Sequence, residues 1–327
     1  MTAFPEPPKD DYDILYLETT DRELPEKLNP NTRYAYFKTI ARGGKAIVQS
    51  CKDMHLSRIV CYKKLKPEFA DEPIEQKRFL REARVSALLQ HPNTVPTYEI
   101  GRDMKGYYYF TMKLVHGYTL REILDYRERY DLTQLINVVI PIVQALDYAH
   151  THRVIHRDIK PENILVGPFG EVLLLDWGLA KVWNPDGTSN EPERKPGQLS
   201  NKVNTSMTDL DNLQGTISYM SPEQVQRDPQ IDFRTDIYSI GVILYEILAN
   251  QLPSPGETVE EVSKKILDEN PPAPSAIAKQ AVPKLLEEVT MRCLKKSPAE
   301  RFQSGADVIR LLEEDWLSEM ISPNAQN

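Results

Sequence analysis

The sequence predicts an α+β protein in two parts, a small strand-rich part followed by a larger helical one. Three observations carry this. Over residues 34–65 the apolar residues come in short runs, broken at Gly43-Gly44 and by the polar stretch 52–57, which is the pattern of strands and turns. Over residues 132–152, Leu135, Val138, Val139, Ile142, Leu146 and Ala149 recur at helical spacing. The chain has 327 residues, 40% hydrophobic and 27% charged, enough for one large domain or two lobes with a substantial core.

In chain order, residues 1–31 read as an acidic flexible arm, with Lys9, Arg22 and Lys27 set against eight acidic residues. Residues 59–65 read as a strand and 73–90 as a helix with Phe79, Ala83, Ser86 and Leu89 on one stripe, ended by His91-Pro92-Asn93. Strands at 94–100 and 107–115 flank a turn at Gly106, and residues 120–130 read as one helix. The helix at 132–152 contains Pro141, a residue that kinks helices. Short strands and loops fill 154–182, and the polar stretch 183–214 reads as a mobile loop. Helices resume at Ser221, with breaks at 253–255 and 271–274, and finish in an amphipathic helix at 306–321.

Composition excludes several function classes. The net charge is −8 and no basic face is evident, which argues against nucleic acid and against an anionic membrane surface. The longest apolar stretch, 237–248, is too short to span a bilayer. Cys51, Cys61 and Cys293 form no C-x-x-C pair and leave an odd thiol, which fits a reducing, cytoplasmic setting. No secretory leader is legible at the start of the chain.

The chemistry concentrates between residues 154 and 178. Asp158 and Asn163 lie five residues apart with Lys160 between them, and Asp176-Trp177-Gly178 follows two apolar runs, 164–166 and 172–175. Those runs suit a hairpin turning at Pro168-Phe169-Gly170, whose two ends would bring Asn163 and Asp176 together as oxygen donors for Mg²⁺. Asp158 would stand beside them as a base, and Lys160 would neutralise phosphate charge.

This run, His156-Arg157-Asp158-Ile159-Lys160-Pro161-Glu162-Asn163 with Asp176-Trp177-Gly178, resembles the catalytic loop and metal motif of eukaryotic-type protein serine/threonine kinases, and the wording of the whole, with Phe110-Thr111-Met112 and Arg301-Phe302-Gln303-Ser304, looks most like their bacterial members. The resemblance covers about residues 34–315, and further landmarks arrive in order. Val60-Cys61-Tyr62-Lys63 matches the strand lysine motif, with Lys64 as its rival in register, and Arg81-Glu82-Ala83 supplies the glutamate. Ser221-Pro222-Glu223, Asp236 and Arg301 match the family's structural glutamate, buried aspartate and arginine.

The resemblance implies a bilobal protein-kinase fold, with an N-lobe at 32–114, a C-lobe at 115–321 and a tail at 322–327. The activation segment would run over 176–223, with its polar insertion at 183–214. It implies transfer of the ATP γ-phosphoryl group to Ser or Thr hydroxyls of a protein substrate, with ATP and Mg²⁺ as cofactors. Asp158, Lys160, Lys63 and Glu82 would be catalytic, and Asn163 and Asp176 would hold the metal. Ile40, Gly43, Val48, Cys61, Lys63, Met112, Val115 and Leu165 would bind ATP. Lys160 and Gly215-Thr216-x-x-Tyr219 fit the serine/threonine form, with Thr216 touching Asp158 and Lys160. Arg157 would bind a phosphate on the activation segment, the acceptor being nearest Thr205, Ser206 or Thr208.

One motif departs from the pattern. The phosphate-covering loop G-x-G-x-x-G is Ala41-Arg42-Gly43-Gly44-Lys45-Ala46 here. Glycine suits such a loop because the backbone approaches phosphate closely and can adopt φ > 0, where an alanine costs roughly 1–2 kcal/mol; Ala41 is the less usual departure, Ala46 a small residue that relatives tolerate. Two readings follow, an active kinase with looser ATP binding and a non-catalytic signalling scaffold. The protein substrate, the activating signal and the oligomeric state have no signature in the sequence.

Overall fold

Strand β1 (Tyr34–Arg42), β2 (Ala46–Asp53), β3 (Arg58–Leu65), β4 (Thr97–Arg102) and β5 (Tyr108–Lys113) form an antiparallel sheet in the order β1-β2-β3-β5-β4. These are features of a computed structural model that describes residues 23, 29, 32–183 and 215–317. The arm at 1–31, apart from those two residues, and the insertion from 184 to 214 lie outside the described residues.

The sheet turns where short polar side chains satisfy the backbone. Asp53 Oδ1 accepts from the amides of His55 and Leu56, and Asp103 Oδ1 accepts from those of Lys105 and Tyr107. Alternation then sorts side chains onto two faces. Val60, Tyr62, Tyr109 and Cys51 form one cluster. Leu65, Phe110 and Ala46 form the other, against Phe79 and Ala83 of helix α1 (Pro73–Leu88). Lys63 shares the parity of Leu65 and therefore the α1 face. Helix α1 starts on Pro73 and ends before Leu89, whose extended backbone leads into the turn at His91-Pro92.

Contacts divide the chain into two compact units. One holds the sheet, α1 and residues up to Tyr118 together with Leu165–Leu179; the other holds Thr119–Ile164 and the described residues from Ala180 onward. The expected division at 114/115 differs mainly in the segment Leu165–Leu179. That segment is tied to the sheet unit because the Leu174 amide donates to Asn93 O at 2.9 Å and Asn93 Nδ2 donates to Val172 O at 2.8 Å.

The second unit is helical. Its helices are α2 (Leu120–Asp125), α3 (Leu132–Thr151), α4 (Pro222–Val225), α5 (Arg234–Ala249), α6 (Val259–Asp268), α7 (Pro274–Ile277), α8 (Lys284–Cys293) and α9 (Gly305–Arg310). Reciprocal side-chain caps start three of them, at Thr119/Glu122, Asp131/Gln134 and Ser221/Gln224. Helix α5 is buried along almost its whole length and forms the centre. It crosses α8 so closely that a Cβ on Gly241 would lie 2.6 Å from Cys293 Cβ, which explains a glycine inside a helix. Helix α3 is long and apolar enough to cross a membrane by length and composition, but Leu135, Ile136, Val138, Val139 and Ile142 are buried inside this unit.

Two expectations change. The single helix at 120–130 ends at Asp125, because the chain leaves helical geometry at Tyr126 and Arg127 reaches the carbonyls of Glu246 and Ile247 near the end of α5. The terminal helix begins at Gly305 and widens to π-type turns over Leu311–Leu317; its remainder to residue 321 lies outside the described residues.

Candidate active site

In the sheet unit, three charged side chains gather around β3. Lys63 Nζ donates to Glu82 Oε1 of α1 at 2.5 Å, and both side chains are largely buried. The rival Lys64 points to the other face and pairs with Asp103 at 3.0 Å. Asp176 is close enough for its charge to act on both Lys63 and Glu82. Burial alone would lower the Lys63 pKa, but the charges of Glu82 and Asp176 and the Glu82 hydrogen bond hold it above the ordinary lysine value. The ammonium therefore stays charged throughout the physiological range. Burial raises Glu82 against the lowering effect of Lys63.

Asp176 has φ of 59°, in the left-handed region that L-residues seldom adopt, and its Oδ1 accepts from the Gly178 amide at 3.1 Å. Trp177, standing where the family has phenylalanine, is buried.

The residues expected to line the nucleotide fall on the same sheet. Val48 pairs in register with Lys63, and Cys61 with Met112, so these four share the α1 face. Cys61 is buried, while Val48, Met112, Val115 and Leu165 are half-buried and Ile40 is exposed. Ala41 belongs to β1, pairs with Val48 and has no positive φ, and neither has Gly43. The strand continues through the position where a glycine was expected, so no left-handed conformation is demanded.

The loop from His156 to Asn163 lies in the helical unit and is organised from below by Asp236 of α5. That carboxylate is fully buried and accepts from the amides of His156 and Arg157 at 2.9 Å each, and it meets His150 Nε2 at 2.9 Å. Burial would raise its pKa, yet His150, His156 and these hydrogen bonds bring it below the usual aspartate value. Above it, Asn163 Nδ2 donates to Asp158 O at 2.8 Å and to Asp158 Oδ2 at 3.0 Å. Lys160 Nζ lies 3.1 Å from Asp158 Oδ1 and donates to Thr216 Oγ1 at 3.0 Å. Arg157, like Asp176, has positive φ, and Gln224 Nε2 donates to its carbonyl at 2.7 Å.

The structural landmarks meet as their motifs imply. Nη1 and Nη2 of Arg301 donate to Glu223, at 2.7 and 2.8 Å. Ser221, replacing the family's alanine, caps α4 and lies 2.5 Å from Thr235 Oγ1. Sequence reasoning missed Gln224 and the arginine Arg121, which gathers Glu162, Tyr219 and Glu246 from three separate stretches of chain.

In comparison with known proteins, residues 34–317 fit the family described as the protein kinase domain. The chain belongs to the protein kinase domain family. Several proteins similar to it are bacterial. This kinase domain is 36% identical over 294 residues to serine/threonine-protein kinase PknD of Protochlamydia amoebophila, covering 86% of this chain and 29% of that protein. It is 35% identical over 286 residues to PknD of Chlamydia caviae, covering 83% and 30%. It is 34% identical over 282 residues to a probable serine/threonine-protein kinase of Streptomyces coelicolor, covering 85% and 39%. The chain thus spans about a third of the length of these curated relatives.

Proposed function

We propose that this kinase domain transfers the γ-phosphoryl group of ATP to serine or threonine hydroxyls of a protein. The observation that carries the reading is the Lys63–Glu82 pair, 2.5 Å apart and largely buried. A buried ion pair adds little net stability over an apolar pair of similar volume, so its presence beside Asp176 asks for a functional reason. Holding one lysine charged and fixed for the α- and β-phosphates supplies that reason.

Asp158 orients the acceptor hydroxyl and takes its proton. Lys160, held between Asp158 and Thr216, balances the charge that develops on the transferred group. Asn163 and Asp176 fit Mg²⁺ by donor chemistry, since both offer oxygen. The amide nitrogen of Asn163 is committed to Asp158, which fixes the amide and leaves its oxygen for a hard cation. When bound, the metal neutralises phosphate charge. The adenine would rest among Ile40, Val48, Cys61, Met112, Val115 and Leu165, with Gly43 in the covering loop. A scaffold without turnover is the second reading; it rests on the altered loop, and against it stands the presence of Lys63, Asp158, Lys160, Asn163 and Asp176, the residues that would handle phosphate, proton and metal.

The activation segment at 176–223 would be autophosphorylated at Thr205, Ser206 or Thr208, which lie outside the described residues, and the domain would work in the cytoplasm. Incubation with Mg-ATP followed by phosphopeptide mass spectrometry tests this. Phosphoserine or phosphothreonine on peptides covering 184–214 is expected; phosphotyrosine alone, or none on any protein offered, would contradict it.

A further inference from the structure

Two residues of the covering loop, Lys45 and Ala46, meet helix α1. Ala46, at the third glycine position, is buried in one cluster with Leu65 and Phe110 of the sheet and Phe79 and Ala83 of α1. Lys45 sets its Nζ 2.7 Å from Glu75 Oε1, in the first turn of α1. A carboxylate is itself favoured at that end of a helix. The loop backbone is held for this contact from just past β3. The Lys66 amide donates to Lys45 O at 3.0 Å, and Lys66 Nζ donates to Gly44 O at 3.0 Å.

Glu75, Phe79, Glu82 and Ala83 recur at i, i+4, i+7 and i+8, so they form one stripe of α1. The stripe carries two ion pairs with an aromatic contact between them. Lys45 meets Glu75, Phe79 lies against Phe110 with ring centroids 5.0 Å apart, and Lys63 meets Glu82. Seven residues of helix rise about 10 Å, so the two pairs pin α1 at well separated points. A pin at Glu82 sets a distance to the sheet but does not by itself fix the tilt; the second pin does. Glu75 Oε1 also accepts from Arg78 Nη1 at 3.0 Å. Arg78 belongs to α1 itself, so that contact travels with the helix and cannot locate it. The Glu75 side chain is 12% exposed and that of Lys45 48%, so the acceptor is held in the protein while the lysine is partly screened by water.

We propose that Lys45 is a positioning residue: through Glu75 it fixes the tilt of α1 that brings Glu82 to Lys63, and it joins the covering loop to that helix. The proposal rests on the kinase reading above. Lys45 acts through Glu75 and not on the phosphates, so removing either partner should do the same damage. The junction also couples two events. Nucleotide that orders the loop steadies α1, and by linkage the placed helix strengthens nucleotide binding by the same factor.

The test uses the whole chain with a serine/threonine peptide and the variants Lys45→Met, Lys45→Arg, Glu75→Gln, Lys45→Met/Glu75→Gln and Arg78→Gln. Exposed pairs contribute little, so kcat/KM for ATP should fall only about three- to fivefold in Lys45→Met and in Glu75→Gln, at low ionic strength. The double variant should be no worse than either single. Lys45→Arg, which keeps charge and reach for a single contact, and Arg78→Gln, which breaks only the contact inside the helix, should each stay within about twofold of wild type. Glu75→Gln at wild-type level would mean that Lys45 acts on phosphate directly and would overturn the proposal. So would additive losses in the double variant, a loss in Lys45→Arg equal to that in Lys45→Met, or an equal loss in Arg78→Gln. A wild type that makes no phosphopeptide would fail the kinase reading instead. Hydrogen exchange without nucleotide then still decides on Lys45: amides of residues 77–88 should exchange faster in Lys45→Met than in Arg78→Gln, and equal exchange would remove its positioning role.

Discussion

Replacing Arg301 by methionine should be among the most destabilising single changes in this chain. The Arg301 side chain is 0% exposed. It donates to both oxygens of Glu223, to Arg234 O at 2.9 Å, to Lys295 O at 2.8 Å and to Lys296 O at 2.9 Å. Methionine restores much of the volume but leaves a carboxylate and three carbonyls without that donor. Breaking one side of a buried pair costs about 3–5 kcal/mol. Each kcal/mol moves Tm by about 2–4 °C at this size, so the loss should be on the order of 10 °C. Glu223→Gln should cost less, because Arg301 keeps its three carbonyls and the amide still accepts one hydrogen bond. Thermal and urea unfolding of the two single variants and the double variant supply the cycle. The double should be less destabilised than the sum of the singles, since the second change removes a charge the first left unpaired. A Tm drop under about 2 °C in Arg301→Met, or a larger drop in Glu223→Gln, would refute the reasoning.

Further outcomes follow from the same geometry. Lys63→Met should abolish phosphoryl transfer while Lys64→Met, which loses only a part-exposed pair with Asp103, should keep it; retained activity in Lys63→Met would move the phosphate contact elsewhere. Burial pushes Cys51, Cys61 and Cys293 up to about 12, so iodoacetamide at neutral pH should leave all three thiols unmodified in the folded protein, as intact-mass spectra would show. The folded-state pKa of Asp236 is lowered, so its contribution is present above the ordinary aspartate value and is lost as pH falls through the lower folded value. Unfolding measured from pH 6 down to about pH 2 should therefore be steeper in wild type than in Asp236→Asn, which should be less stable at neutral pH; parallel curves would contradict this.

Local pattern carried most of what was legible in the sequence. The lysine on β3 and the glutamate on α1 lie nineteen residues apart, and alternation and helical spacing place them on facing surfaces. The 156–163 loop is short enough for its internal contacts to follow from the motif. What escaped has long-range causes. Arg121 meets partners 41, 98 and 125 residues away, and no window of sequence displays that convergence. The break at Tyr126 depends on carbonyls at the end of α5. The backbone at Ala41 was not legible either, because it is pairing with Val48 that keeps the position extended. Glu82 was found by motif and not by its stripe, since its burial is explained by Lys63 and not by hydrophobicity.

The central claim is that Asp158 serves as the base of a phosphoryl transfer from ATP to serine or threonine. The most direct measurement compares γ-labelled ATP incorporation into a protein substrate by wild type and by Asp158→Asn, which keeps the shape and loses the base. Wild type should label serine or threonine, and the variant should fall by about 10²–10⁴-fold, the usual contribution of a positioned base. Equal incorporation by the two proteins, or none by wild type, would contradict the account.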